Sequence, residues 1–213
     1  MKILGIDTAT ALTEVAYTDT KAQPAPLLVA FDDPALGARP NHARAVLGLV
    51  EQVLDGERSI DRIAVGIGPG TFTGLRIGIA TAQALARGFD CELVGVSTLA
   101  ALEVAARQAN PDTEILAVID ARRGEAFVAG TGLAPAVKRP EELGELAAGR
   151  LAIGDGAIKF RAELEGGGAE VPPDGDELHR VQATFHCLLG AQISQPKPVE
   201  PMYLRIPDAE RNR

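Results

Sequence analysis

Two periods organise the hydrophobic positions of this chain. Residues 2–6, apolar after Lys2 and up to Asp7, predict a buried strand. Residues 13–17 follow after a short turn and pair back as a hairpin, and 27–31 give a third strand, so the chain opens as a β-meander. At Pro40-Asn41 the period changes. Ala43, Val46, Leu47, Val50 and Leu54 recur at helical spacing and predict a helix to about Leu54. Residues 61–67 read as a buried strand, 76–87 as a helix and 92–96 as a further strand. Ser97 then caps a helix over 99–108.

The second half opens by repeating the first. Leu116-Ala-Val-Ile-Asp120 lines up with Ile3-Leu-Gly-Ile-Asp7, and Val128-Ala129 with Val15-Ala16, each 113 residues downstream. Strand, acidic turn and strand therefore recur, which suggests two related α/β lobes. After Gly130 the chain is rich in Gly, Pro and acids. Within it, 151–153 predict a short strand and 177–192 a helix with Leu178, Val181, Phe185, Leu188 and Leu189 on one side.

Composition narrows the function classes. With 46% hydrophobic residues, 4% aromatics and no Trp, the core is built from Ala, Val, Leu and Ile. No apolar run reaches the roughly 20 residues that span a bilayer, and the N-terminal apolar stretch is too short for a secretory signal. A net charge of −8 argues against a protein that grips nucleic acid by itself. Cys91 and Cys187 stand far apart, with neither zinc-knuckle spacing nor a disulfide framework. A cytoplasmic protein is expected.

The densest motif is Gly66-Ile-Gly-Pro-Gly-Thr-Phe-Thr-Gly-Leu-Arg76, between a strand and a helix. It fails the dinucleotide fingerprint at Thr71 and lacks the lysine of a P-loop. Two readings stand: an amide nest that takes an anion or a carboxylate, or a tight crossover with Thr71 or Thr73 capping the helix. The helix that follows is apolar and small around most of its circumference, with only Arg76, Thr81, Gln83 and Arg87 polar. Either a second layer of this chain or a partner covers the surplus, and Leu49 and Val53 extend the earlier helix in the same way.

No catalytic constellation assembles readily. His42 is followed at i+4 by Val46, and His179 and His186 have no third ligand in register, so no metal site is expected. Ser97 lacks the second glycine of a nucleophile elbow and reads as a cap; Cys91 reads as a structural thiol. Asp7, Thr8 and Thr10 at a strand end are the best polar cluster. They fit either phosphate and Mg²⁺, as in actin-like ATPases, or a hairpin turn satisfying its own amides. Asp120, Arg122, Arg123 and Glu125 form the matching turn, as an ion-pair cluster at the lobe junction or a solvated turn.

Five ordered blocks resemble the bacterial TsaB (YeaZ) family across essentially the whole chain: residues 3–10, 68–78, 95–99, 119–122 and 200–205. The resemblance implies a two-lobed actin-like (ASKHA, RNase H-like) fold with duplicated meander and helix lobes, 1–98 and 99–213, the last residues returning to the first lobe. It implies a non-catalytic subunit, without a cofactor of its own, that activates a larger TsaD-type threonylcarbamoyltransferase alongside a TsaE-type ATPase. The product is N6-threonylcarbamoyladenosine at position 37 of tRNAs reading ANN codons. Docking would use the two N-lobe helices through His42, Ala45, Leu49, Gln52, Val53, Leu75, Gly78, Ile79, Ala82 and Ala86. A homodimer forms when the chain is alone, and tRNA is met only through the complex. Anion contact, if any, would come from Asp7, Thr8, Thr10, Gly68, Gly70, Thr71 and Thr73. The TsaD-type metal helix carries H-x-x-x-H, and Val46 replaces its second histidine here. Rival readings are an actin-like kinase or ATPase, and a glycoprotease-like metallopeptidase.

Overall fold

A computed structural model describes residues 1–22, 27–34 and 39–205. The opening meander forms as predicted: β1 (Lys2–Asp7), β2 (Thr13–Asp19) and β3 (Leu27–Asp32), antiparallel in sequence. Helix α1 (His42–Leu54) crosses to β4 (Arg62–Gly68), parallel to β1, and α2 (Phe72–Phe89) crosses to β5 (Glu92–Ser97), parallel to β4. The first sheet is ordered β3-β2-β1-β4-β5. Helix α3 (Thr98–Ala109), with Ser97 Oγ accepting from the Ala100 amide at 3.3 Å, leads into the second sheet.

That sheet repeats the first. Strands β6 (Glu114–Asp120), β7 (Ala126–Gly130), β8 (Leu133–Lys138) and β9 (Arg150–Ile153) stand in the order β8-β7-β6-β9, with the same antiparallel and parallel pairings. The duplication is therefore topological as well as sequential. Its register differs from the sequence match by one residue. Ile6 pairs with Val15, whereas Ile119 pairs with Phe127, so Phe127 rather than Val128 is the counterpart of Val15. The second hairpin turn is one residue shorter.

The stretch after Gly130 holds more than composition suggested: β8, α4 (Pro140–Ala147), α5 (Asp155–Lys159) and α6 (Arg161–Gly166). The helix expected over 177–192 is broken. A 3₁₀ turn (Glu177–His179) is capped by Asp176, whose carboxylate accepts from Leu178 N at 2.9 Å, and the chain runs extended before α7 (Ala183–Gln192). The imidazole of His179, 3.0 Å from the carbonyls of both Gly154 and Pro172, pins the break. The buried face of α7 is Ala183, His186, Cys187 and Gly190, and Leu188 is exposed.

Strand alternation sorts the layers. Leu4 and Ile6 point to α1 and α2, together with Val46, Val50, Ile79 and Ala82. Ile3, Ala16, Ala64 and Val94 point the other way, to α7. The second sheet faces α3 with Ile115, Ala117 and Ile119, and α4–α6 with Leu116 and Val118. Helices α3 and α7 touch and form the shared middle of five layers. Buried Arg62 of β4 fastens α7 from below, donating to the carbonyls of Gly190 (2.6 Å) and Ile193 (2.8 Å) at the helix's negative end. Arg62→Met strands both acceptors, and urea denaturation should read a loss of about 2 kcal/mol.

Candidate functional site

The end of β1 is the centre of the molecule's polar chemistry. Asp7 Oδ1 accepts from the Ala9 amide at 2.8 Å, and Oδ2 accepts from Thr98 Oγ1 at 3.1 Å. His186 Nε2 stands 3.0 Å from the same Oδ2. Thr8 Oγ1 donates to the Gly74 carbonyl at 2.8 Å, and the Thr71 amide donates to the Ala9 carbonyl at 2.7 Å. Asp7, Thr8 and Thr10 are all buried.

The glycine block explains that burial. A Cβ at Gly66 would overlap the Asp7 carboxylate; at Gly70, the Ala9 carbonyl; at Gly74, the Thr8 carbonyl; at Gly78, the Thr8 hydroxyl. The start of α2 is therefore laid directly on the 7–10 turn, with no room for side chains between them. The Thr8 hydroxyl spends its donor across this seam on the Gly74 carbonyl, and the Ala9 amide spends its own within the turn on Asp7. Of the other residues considered for anion contact, Gly68 is buried, Gly70 and Thr71 are half-buried and Thr73 is exposed. Thr71 occupies the N-cap position with extended backbone and makes no side-chain cap.

Glu14, unremarked in the sequence, completes the cluster. It is 4% exposed, and its Oε1 accepts from Ala183 N at 2.9 Å, capping α7. Burial raises its carboxyl to about 7, against the Ala183 amide and the nearby Arg180 charge. Glu14 carries no sequence signal of its own, and the sequence offers His186 only as a histidine with no metal ligand in register. His42 opens α1, buried, with Nδ1 2.7 Å from Thr13 Oγ1; burial holds its imidazole below the ordinary value. Among the described residues no group of three or more His, Cys, Asp or Glu is placed to hold a metal ion. Burial pushes the thiols of Cys91 to about 11 and Cys187 to about 12, leaving both protonated and inert.

In the second lobe the matching turn is an ion-pair cluster. Asp120 accepts from Lys159 Nζ at 2.7 Å and pairs with Arg122 at 3.3 Å, while Glu125 pairs with Arg205. Asp155, half-buried beside it, accepts the Asp120 amide at 3.0 Å. Arg123 stands in the same turn, with left-handed backbone. The basic tail residues Arg211 and Arg213 lie outside the described residues.

The two N-lobe helices divide differently from the expected docking set. Leu75, Gly78, Ile79, Ala82 and Ala86 of α2, and His42 and Val53 of α1, are buried against their own sheet; Ala45 and Leu49 are half-buried, and Gln52 is exposed. The reason is period: the residues that face β1 and β4 are unavailable as surface. Ala43 and Leu47, expected on the inner stripe, face outward instead. The outer surface carries Leu47 (55% exposed) and Gly48 on α1, and Phe72 (42%), Arg76, Ala80, Ala84 and Gly88 on α2.

Two lobes with one repeated strand order, sharing a helical middle layer, define a two-lobed actin-like (ASKHA, RNase H-like) protein. Residues 34–170 match the family described as TsaD: tRNA N6-adenosine threonylcarbamoyltransferase. The tRNA threonylcarbamoyladenosine biosynthesis protein TsaB of Escherichia coli (strain K12) is 38% identical over 136 residues, 60% of this chain and 53% of that protein. Among solved structures, an uncharacterized protein with similarity to peptidase YEAZ from Pseudomonas aeruginosa has a TM-score of 0.75 at 25% identity, covering 96% of this chain and 99% of that one. YeaZ from Pseudomonas aeruginosa has a TM-score of 0.71 at 25% identity, covering 95% and 100%. The chain belongs to this family, in its TsaB (YeaZ) branch. The sequence match spans about half the length of the curated relatives. No helix among the described residues is long and apolar enough to cross a membrane.

Proposed function

We propose that this chain is a non-catalytic subunit in the formation of threonylcarbamoyladenosine on tRNA, acting by docking its α1–α2 face onto a TsaD-type catalytic subunit. A TsaE-type ATPase joins the assembly, and tRNA is met through the complex. The observation that carries this reading is Gly48. It sits mid-helix in α1 with nothing within 4 Å of where its Cβ would stand. A helix-interior glycine costs roughly 0.5–1 kcal/mol relative to alanine, and no close contact among the described residues compensates. Gly88 of α2 is open in the same way. With exposed Leu47, Ala80 and Ala84, these positions let partner helices approach closely and bury apolar surface in a four-helix contact. The sealed Asp7–Thr8 turn supports the absence of catalysis. Without the partner, the same face pairs two copies of the chain.

The test is co-elution with the TsaD-type subunit on size-exclusion chromatography. Gly48→Arg and Ala84→Arg change exposed positions only, so both variants should fold normally and fail to co-elute. Co-elution of both at wild-type levels overturns the docking face. Gly78→Glu and Ala82→Arg are unsuitable probes, because the first drives a side chain into Thr8 and the second charges a fully buried position.

A further inference from the structure

The last described residues bridge the two lobes. Val199 packs into the first-lobe core, and the Met202 amide donates to the Ile67 carbonyl at the end of β4 at 2.7 Å. Leu204 then packs against the second-lobe core, and Arg205 pairs with Glu125 in the β6–β7 turn. Between these anchors the Tyr203 ring stacks on Phe72, with centroids 5.5 Å apart and planes at 27°. The guanidinium of Arg76 lies over the Phe72 ring at 3.8 Å, and its Nε donates to the Tyr203 hydroxyl at 3.3 Å. Phe72 (42%) and Tyr203 (39%) nevertheless stay exposed.

Phe72, Arg76, Ala80 and Ala84 are spaced by four, one stripe along the outer face of α2. The Tyr203 cluster is therefore the upper end of the face assigned above to the partner, and continuous with it. We infer that residues 199–205 form part of the docking surface, with Tyr203, Phe72 and Arg76 as its anchor for the catalytic subunit's helical face. This rests on the docking reading given above. Rigid aromatic rings locked by an arginine are the side chains that carry most binding energy at such interfaces. The small residues at Ala80 and Ala84 supply close approach but little area. Because the same strap is rooted in the second lobe at Leu204 and Arg205, a partner seated on α2 also grips that lobe.

The test uses the full chain and the TsaD-type subunit, with affinity measured by calorimetry for Tyr203→Ala, Phe72→Ala, Tyr203→Phe and Ala84→Arg, each checked for wild-type thermal unfolding. Ala84→Arg should abolish binding, Tyr203→Ala and Phe72→Ala should each weaken it about tenfold, and Tyr203→Phe, which keeps the stack, should recover most of it. Loss with Ala84→Arg but wild-type affinity for both Tyr203→Ala and Phe72→Ala overturns the anchor and leaves the docking face standing. Wild-type affinity for Ala84→Arg overturns the docking face, and the anchor with it.

Discussion

Gly74→Ala should destabilise the chain by about 3 kcal/mol, the upper part of the range for overpacking a tight site. An ordinary helix responds in the opposite direction, gaining roughly 0.5–1 kcal/mol from the same change. The sign inverts because a methyl at Gly74 meets the Thr8 carbonyl, which is backbone and cannot rotate away. Relief requires lifting the first turn of α2 off the 7–10 turn, and that breaks the bonds from Thr8 Oγ1 to Gly74 O and from Thr71 N to Ala9 O. Gly48→Ala is the internal control: its Cβ meets nothing, so it should stabilise. Thermal and urea unfolding of the two variants side by side decides the matter. If Gly74→Ala unfolds no earlier than wild type, the seam is loose and the turn is open enough to admit a ligand.

This pair of glycines also marks where the sequence is readable and where it is not. The strands and the first helices follow from local pattern: β1 and β3 from short apolar runs, β2 from its place after a short turn, α1 from its period. The repeat of 3–7 at 116–120 exposed the duplication, because two strands facing the same layers need the same alternation. The glycine block, in contrast, left both an anion nest and a tight crossover open. Its meaning lies in what stands across from it, the Thr8 and Ala9 carbonyls, some 60 residues earlier in the chain. The same holds for the inner face of α2. A helix that is small and apolar all round has no stripe to read, so Ala82 and Ala84 look alike until β1 and β4 bury one and leave the other wet.

Helix α7 escapes the sequence for a related reason. Its buried face is Ala183, His186, Cys187 and Gly190, and hydropathy points instead to the exposed Leu188. Close approach to the sheet sets this choice: Gly5 leaves no room for a Cβ against Ala183 and Cys187, and Gly190 sits on Ala64. Small residues meet small residues there, only His186 among the large ones turns fully inward, and Leu188 turns out. In the second lobe, the start of α4 did carry a signal, a proline at its first position followed by Glu141 and Glu142. The Gly- and Pro-rich surroundings masked it.

The contribution of Glu14 to stability should fall as pH rises from about 4.5 to about 7, and Glu14→Gln should remove that contribution. Glu14 is nearly inaccessible, and burial raises its carboxyl from the ordinary 4.5 to about 7. The folded state thus holds a proton that the unfolded state releases, and stability falls with pH wherever the folded state binds more protons. Each pH unit is worth about 1.4 kcal/mol, so the decline amounts to about 3 kcal/mol across the window, with little further change from this group above it. The groups around Glu14 set the size. The Ala183 amide, Arg180 and His186 favour the ionised form, and Asp7 opposes it. The carboxamide that Glu14→Gln introduces keeps an oxygen to accept the Ala183 amide at the start of α7 and carries no charge to bury. The variant should match wild type near pH 4.5 and exceed it by about 3 kcal/mol at pH 8, read from urea midpoints at both values. Parallel stability curves for the two proteins would mean that the carboxylate ionises freely in place. The Asp7–Glu14–His186 cluster would then be hydrated, contrary to the dry seam that closes the first lobe's turn.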